Sequence, residues 1–165
     1  MTLDGFIARR DGSIDWLDAV QRPAEDYGFQ QFFDGVDALI LGRRTYETAL
    51  GFESWPYTGK RCLVLTHSTP QSRHGEEVYS GDPVALVERL GAEGIKRVYA
   101  DGGMVISQFL RLNLLDDLTI SIAPVLLGDG VRLFSPNEVE QALVLKASRS
   151  YQSGLVQHRY TVRTS

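Results

Sequence analysis

Cysteine is almost absent from this chain. A single one, Cys62, stands among 165 residues, which excludes an internal disulfide, and its place in the apolar run Cys62-Leu63-Val64-Leu65 reads as a buried, inert thiol. Positive charge is in the minority. Seventeen Lys and Arg against 21 Asp and Glu leave a formal net charge of -4, so a general nucleic-acid binder, which needs a basic surface, is not expected. Long apolar runs are missing as well. None approaches the roughly 18 residues that a membrane span requires, and Met1–Ala8 lacks the basic, apolar, then small-residue order of an export signal. A soluble, cytoplasmic protein without a membrane partner is expected. His67, His74 and His158 have no metal-ligand spacing with one another or with Cys62, so no metal site is expected. The G-x-S-x-G elbow of a serine hydrolase is also lacking.

What is present is ordinary globular composition, 43% hydrophobic and 23% charged. Such a chain can bury a core without staples, and residues 1–165 read as one domain. Its most informative stretch runs from Ile95 to Leu110. Ile95–Ala100 is short and β-forming, whereas Val105, Phe109 and Leu112 recur at helical spacing, so strand turns to helix at Asp101-Gly102-Gly103. A helix that starts at two glycines offers unpaired N–H groups and a positive dipole end to a phosphate. Asp-Gly-Gly is also ordinary turn chemistry, and the full G-x-G-x-x-G fingerprint is absent.

The rest of the chain supplies the frame. Leu3–Ala8 reads as the end of a strand or the loop leaving it, and Ile14–Pro23 as loop with one helical turn. A helix is expected from Pro23 to Gly35, with Tyr27, Phe29, Phe32, Phe33 and Val36 on one apolar face. Asp37–Gly42 reads as a buried strand that opens into a short helix at Arg43-Arg44-Thr45, the second strand-glycine-helix junction. Arg61–Thr66 is a third strand, closed by His67-Ser68, and Glu76–Tyr79 a fourth. Asp82 is the expected N-cap of a helix to Glu93, with Pro83 at its first position and Val84, Leu86, Val87 and Leu90 inward. Leu114–Val125 is a strand ending in a tight turn at Leu126–Gly130. Ala142–Ser148 and Leu155–Arg163 form an antiparallel pair.

This order of elements predicts an α/β sheet, mostly parallel, with antiparallel C-terminal strands and helices on both faces. Ligands of such sheets gather at the carboxyl ends of parallel strands. Three endings, Gly42-Arg43-Arg44-Thr45, Thr66-His67-Ser68 and Asp101-Gly102-Gly103, therefore point to one site. Guanidinium groups beside a helix start suit a nucleotide 2′-phosphate, with Thr45 and the helix amides on the pyrophosphate.

Gly42-Arg43-Arg44-Thr45-Tyr46-Glu47-Thr48, followed by Gly102–Leu110, resembles the dihydrofolate reductase-like superfamily. Thr2–Ala8 and Ala123–Phe134 narrow the resemblance to the branch of the riboflavin-biosynthesis reductase C-terminal domain and its stand-alone bacterial relatives. That resemblance implies a three-layer fold and an NADPH-dependent reductase transferring hydride to a C=N bond of a small pteridine- or pyrimidine-like substrate. It implies the adenosine 2′-phosphate near Arg43, Thr66 and His67, the pyrophosphate near Thr45, Gly102 and Gly103, and the nicotinamide beside Ile7 and Ala100. Gly42, Arg44, Asp101, Met104 and Val105 complete the cofactor-binding set. Asp26, 16 residues before Gly42, matches the substrate-binding carboxylate and is the candidate catalytic residue. Ser121 matches its hydroxyl partner, and Asp4 and Phe29 complete the substrate-binding set.

The resemblance also implies a homodimer. Relatives carry a central strand before the Leu-Asp-Gly motif; either that stretch lies outside the sequence given, or its position in the sheet is filled otherwise. Two other readings stand beside the reductase: a nucleotide-binding protein of the same fold without turnover, and a dimeric scaffold built on the C-terminal strands.

Overall fold

A computed structural model describes residues 1–23, 25, 27–68, 70, 72–134 and 140–163. Contacts divide the chain into two compact units, Met1–Tyr27 with Leu115–Ser165, and Gly28–Leu114.

The Gly28–Leu114 unit is built on four parallel strands. They are β2 (Ala38–Gly42), β3 (Arg61–Leu65), β4 (Glu77–Tyr79) and β5 (Val98–Asp101), in the order β4-β3-β2-β5. β2 is central because it is apolar on both faces: Ala38, Leu39, Ile40 and Leu41 have no exposed surface. One face, carrying Leu39, Leu41, Cys62 and Val64, packs with Phe33 of α1 (Phe29–Asp34) and with Tyr46 and Ala49 of α2 (Arg43–Ala49). Burying such side chains contributes about 1.5–3 kcal/mol each. Burial pushes the Cys62 thiol up to about 12, which fits the inert role read from its neighbours.

The opposite face receives α4 (Gly103–Arg111). Val105 Cγ2 lies so close to β2 that a Cβ at Gly42 would be 3.3 Å from it. The remaining helix, α3 (Pro83–Ala92), buries Pro83, Leu86 and Leu90. Asp82 caps it as expected, accepting from the Val84 and Ala85 amides, while Val84 and Val87 are only half-buried.

The expected helix from Pro23 to Gly35 is corrected to the short α1. Gly28, with φ of +76°, is the residue before its first turn. The preceding segment is held by distant partners instead. The Glu25 carboxylate accepts from the Gln152 and Ser153 amides, and the Tyr27 hydroxyl donates to the Val20 carbonyl. Leu112, the last of the residues at helical spacing, is the cap that ends α4 and is exposed.

The other unit holds antiparallel sheets. β6 (Asp117–Ile122), β9 (Val156–Val162) and β8 (Leu143–Ser150) form one in the order β6-β9-β8, and β1 (Phe6–Ala8) pairs with β7 (Val131–Arg132). β7 falls just beyond the tight turn read from the sequence. Met1–Leu3 lie beside Ala123–Val125: Thr2 bridges Ala123 in parallel, and Leu3 donates to the Val125 carbonyl.

At the β1–β7 junction a Cβ on Gly130 would overlap the Ala8 carbonyl oxygen. Gly130→Ala must displace β1 backbone, and a loss of about 2–3 kcal/mol is expected in urea unfolding. A change below the scatter of the measurement would show that β1 is free to move aside.

Candidate functional site

The parallel sheet changes direction of growth between β2 and β5. From β2 the chain adds β3 and then β4 outward, and β5 returns on the other side of β2. Ligands of α/β sheets bind outside the carboxyl ends of strands at such a switch. Leu41 pairs with Asp101, so Gly42 and Gly102 leave the sheet at the same level, each opening a helix.

These two junctions interlock. Gly102 has φ of +108°, and a Cβ on it would be 2.6 Å from Thr45 Oγ1 and 3.5 Å from the Gly42 nitrogen. Only glycine lets the second turn settle against the first. Ile106 donates to the Gly102 carbonyl, and among the described residues no side chain caps α4. The Gly103, Met104 and Val105 amides are thus the first-turn donors that a helix leaves without an intrahelical acceptor. The Met104 side chain is 84% exposed and Val105 is buried against Gly42. Ala100, one residue before Asp101 on β5, pairs with Ile40.

Cations line the start of α2. Arg43 and Arg44 are exposed, and Arg43 Nε donates to Glu47 Oε1 at 2.7 Å, one turn on. At the end of β3, Thr66 continues the ladder by donating to the Tyr79 carbonyl. Its hydroxyl accepts from the Ser68 amide at 3.1 Å, a turn that leaves His67 exposed.

Asp101 points to the apolar face of the sheet. Burial pushes its carboxyl above the ordinary value, against hydrogen bonds from the Tyr99 hydroxyl, the Gly102 amide and the Tyr57 hydroxyl. The Tyr57 bond measures 3.3 Å. Burial and the nearby Asp101 push the Tyr57 and Tyr99 hydroxyls up in turn, so both remain protonated donors. Phe29, at the start of α1, is exposed on one side and stacked on Phe33 at 5.6 Å.

In the other unit, Asp4 holds a turn. Its oxygens accept from Thr2 Oγ1 at 2.6 Å and from the Leu127 and Gly128 amides at 3.2 and 2.7 Å. The Thr2 and turn hydrogen bonds keep its carboxyl below the usual range. Ile7 is the middle residue of β1. Ser121 Oγ accepts from Gln157 Nε2 at 3.1 Å, and the same amide donates to the Tyr27 carbonyl at 3.4 Å. Asp26 lies outside the described residues.

Three site-shaping residues were not legible in sequence. Tyr57 looked like loop, Gln157 like one polar residue of an alternating strand, and Glu25 like a helix-start acid. Each acts on a partner at least 36 residues away, which local pattern cannot reveal.

Comparison with known proteins agrees with this geometry. The model of the RibD C-terminal domain family matches residues 1–157. The uncharacterized protein YwjB of Bacillus subtilis (strain 168) is 35% identical over 162 residues, 96% of this chain and 92% of that protein. A solved structure from Shewanella sp. PV-4, named for riboflavin biosynthesis, superposes with a TM-score of 0.91 at 34% identity, covering 99% of this chain and 96% of that one. A pyrimidine reductase-like protein from Corynebacterium diphtheriae shares the fold at a TM-score of 0.71 and 17% identity, over 100% of this chain and 90% of its own. Among the described residues no helix is long and apolar enough to cross a membrane, and no group of three or more His, Cys, Asp or Glu could hold a metal. With a parallel sheet that opens at Gly42 and Gly102, and a family match over residues 1–157, the chain belongs to the RibD C-terminal domain family, a reductase-type branch of the dihydrofolate reductase-like superfamily.

Proposed function

We propose that this protein is an NADPH-dependent reductase acting on a C=N bond of a small pteridine- or pyrimidine-like heterocycle. The observation that carries the reading is the interlock of Gly102 with Thr45 at the sheet's switch point, where backbone without side chains meets a helix start and two exposed arginines. Such a place fits a dinucleotide. The cofactor, when bound, supplies hydride from nicotinamide C4.

The chain's own residues bind and orient. The first amides of α4 and the Thr45 hydroxyl receive the pyrophosphate, and Arg43, Arg44, Thr66 and His67 receive the adenosine 2′-phosphate. Asp26 supplies or steers the proton, with Ser121 as its partner. Membership of the RibD C-terminal domain family, and the likeness to a Corynebacterium diphtheriae protein named as pyrimidine reductase-like, support a pyrimidine as the substrate class. A cytoplasmic homodimer is part of the same reading. Leu143 and Leu145, exposed on the edge strand β8, support the self-association.

Arg43→Ala tests the cofactor assignment. NADPH affinity is expected to fall about tenfold, one charged pair's worth, while NADH affinity holds. Equal losses for both dinucleotides would remove Arg43 from the 2′-phosphate.

A further inference from the structure

One face of the β6–β9 ladder carries hydrogen-bonding groups that the chain itself leaves unused. Ser121 of β6 pairs with Gln157 of β9, so their half-buried side chains stand opposite each other on one face. Gln157 Nε2 donates to Ser121 Oγ at 3.1 Å and to the Tyr27 carbonyl at 3.4 Å. A backbone carbonyl can only accept, which fixes the end of the amide that meets it as nitrogen. Oε1 lies at the other end, and among the described residues it takes no hydrogen bond.

The support behind this amide is firm. Tyr27 meets Tyr151 edge-on at 4.9 Å, and its hydroxyl donates to the Val20 carbonyl. Its side chain also packs on a buried cluster of Trp16, Val20, Ala123 and Leu155. Ala123 and Leu155 each stand two residues from Ser121 and Gln157, the spacing that returns a strand to the same face. Within that cluster Trp16 Nε1 is buried and has no hydrogen-bond partner among the described residues. A buried donor left unpaired costs about 1–3 kcal/mol. An acceptor on Gln157 and a donor on Trp16 are thus both left over within two strand positions of Ser121.

We propose that Gln157 is a substrate-recognising residue, its Oε1 accepting a ring N–H of a lactam-type heterocycle. This rests on the reductase reading. The amide is already held at its nitrogen end, so little side-chain freedom remains to be lost when Oε1 takes a donor. A ring without the N–H would cover that oxygen and leave it unpaired, and a site of this kind rejects such a ring. Ser121, in the proposed substrate-binding set, is the side chain that the same amide touches.

The test uses calorimetry on the full chain, first with NADPH and then, in its presence, with uracil and with N,N′-dimethyluracil, which has no ring N–H. The parent is expected to bind uracil at least about tenfold more tightly than the dimethyl form. Gln157→Met keeps the length of the side chain and removes its polar end. It is expected to lower that ratio about tenfold by weakening uracil alone. Gln157→Asn, polar but one methylene short of its two acceptors, is expected to lose the same preference. A purely structural Gln157 would weaken both rings together, and that result overturns the assignment. A folded variant at the parental ratio also overturns it while the reductase reading stands. The same holds for a parent that binds NADPH but takes neither ring, or takes both equally. A parent that binds neither NADPH nor uracil overturns the reductase reading and this assignment with it.

Discussion

Alanine at Gly102 is expected to cost the protein its dinucleotide and about 2–3 kcal/mol of stability together. Two independent causes act at this residue. Its φ of +108° lies where an L side chain is strained, and the added Cβ would come within 2.6 Å of Thr45 Oγ1. Relief by rotating the peptide would swing the Gly103 amide away from the helix start, and relief by moving Thr45 would draw the first turn of α2 off β2. Either movement spoils the surface on which the pyrophosphate is proposed to lie. Binding measured at a temperature where the variant remains folded is expected to weaken by more than about 1.4 kcal/mol, a factor of ten. Tight NADPH binding by Gly102→Ala would place the pyrophosphate elsewhere.

Asp26→Asn is expected to lower turnover by about 10²-fold or more, the usual contribution of a positioned proton donor, with NADPH affinity unchanged. The amide is isosteric but cannot pass a proton. The residues on either side of it are firmly placed. Glu25 accepts from the Gln152 and Ser153 amides, and the Tyr27 carbonyl accepts from Gln157, the residue that also donates to Ser121. The Tyr27 ring packs edge-on against Tyr151 at 4.9 Å. Steady-state kinetics with a dihydropterin or pyrimidine substrate would read the effect as a fall in kcat. Unchanged turnover removes Asp26 from the chemistry.

Where the sequence was legible, the signal was local and repeated. β2 announced itself as an apolar run ended by glycine, α3 by an Asp cap followed by proline, and β9 by alternation. The switch point followed from these, because strand-glycine-helix junctions at Gly42 and Gly102 imply strand ends that a parallel sheet can bring side by side. Where it was illegible, distant partners decided. The helix expected from Pro23 begins only after Gly28, since Glu25 is drawn to the Ser153 turn and Tyr27 to Val20. β7, only two residues long, has no periodicity to read and exists through pairing with β1. Glu76 looked like the polar start of a strand, and nothing nearby showed that the Arg73 and His74 amides would wrap around it. The candidate site was visible where backbone geometry requires glycine, and hidden where one side chain positions another.

Dinucleotide selectivity tests the central claim most directly. The protein is titrated in parallel with NADPH and NADH, with Trp55 as reporter because it lies against Tyr46 of α2 and His74. The proposed site predicts saturable binding of both, with NADPH favoured at least about tenfold, or 1.4 kcal/mol. Absence of binding to either, or equal affinity for the two, would contradict an NADPH-dependent reductase.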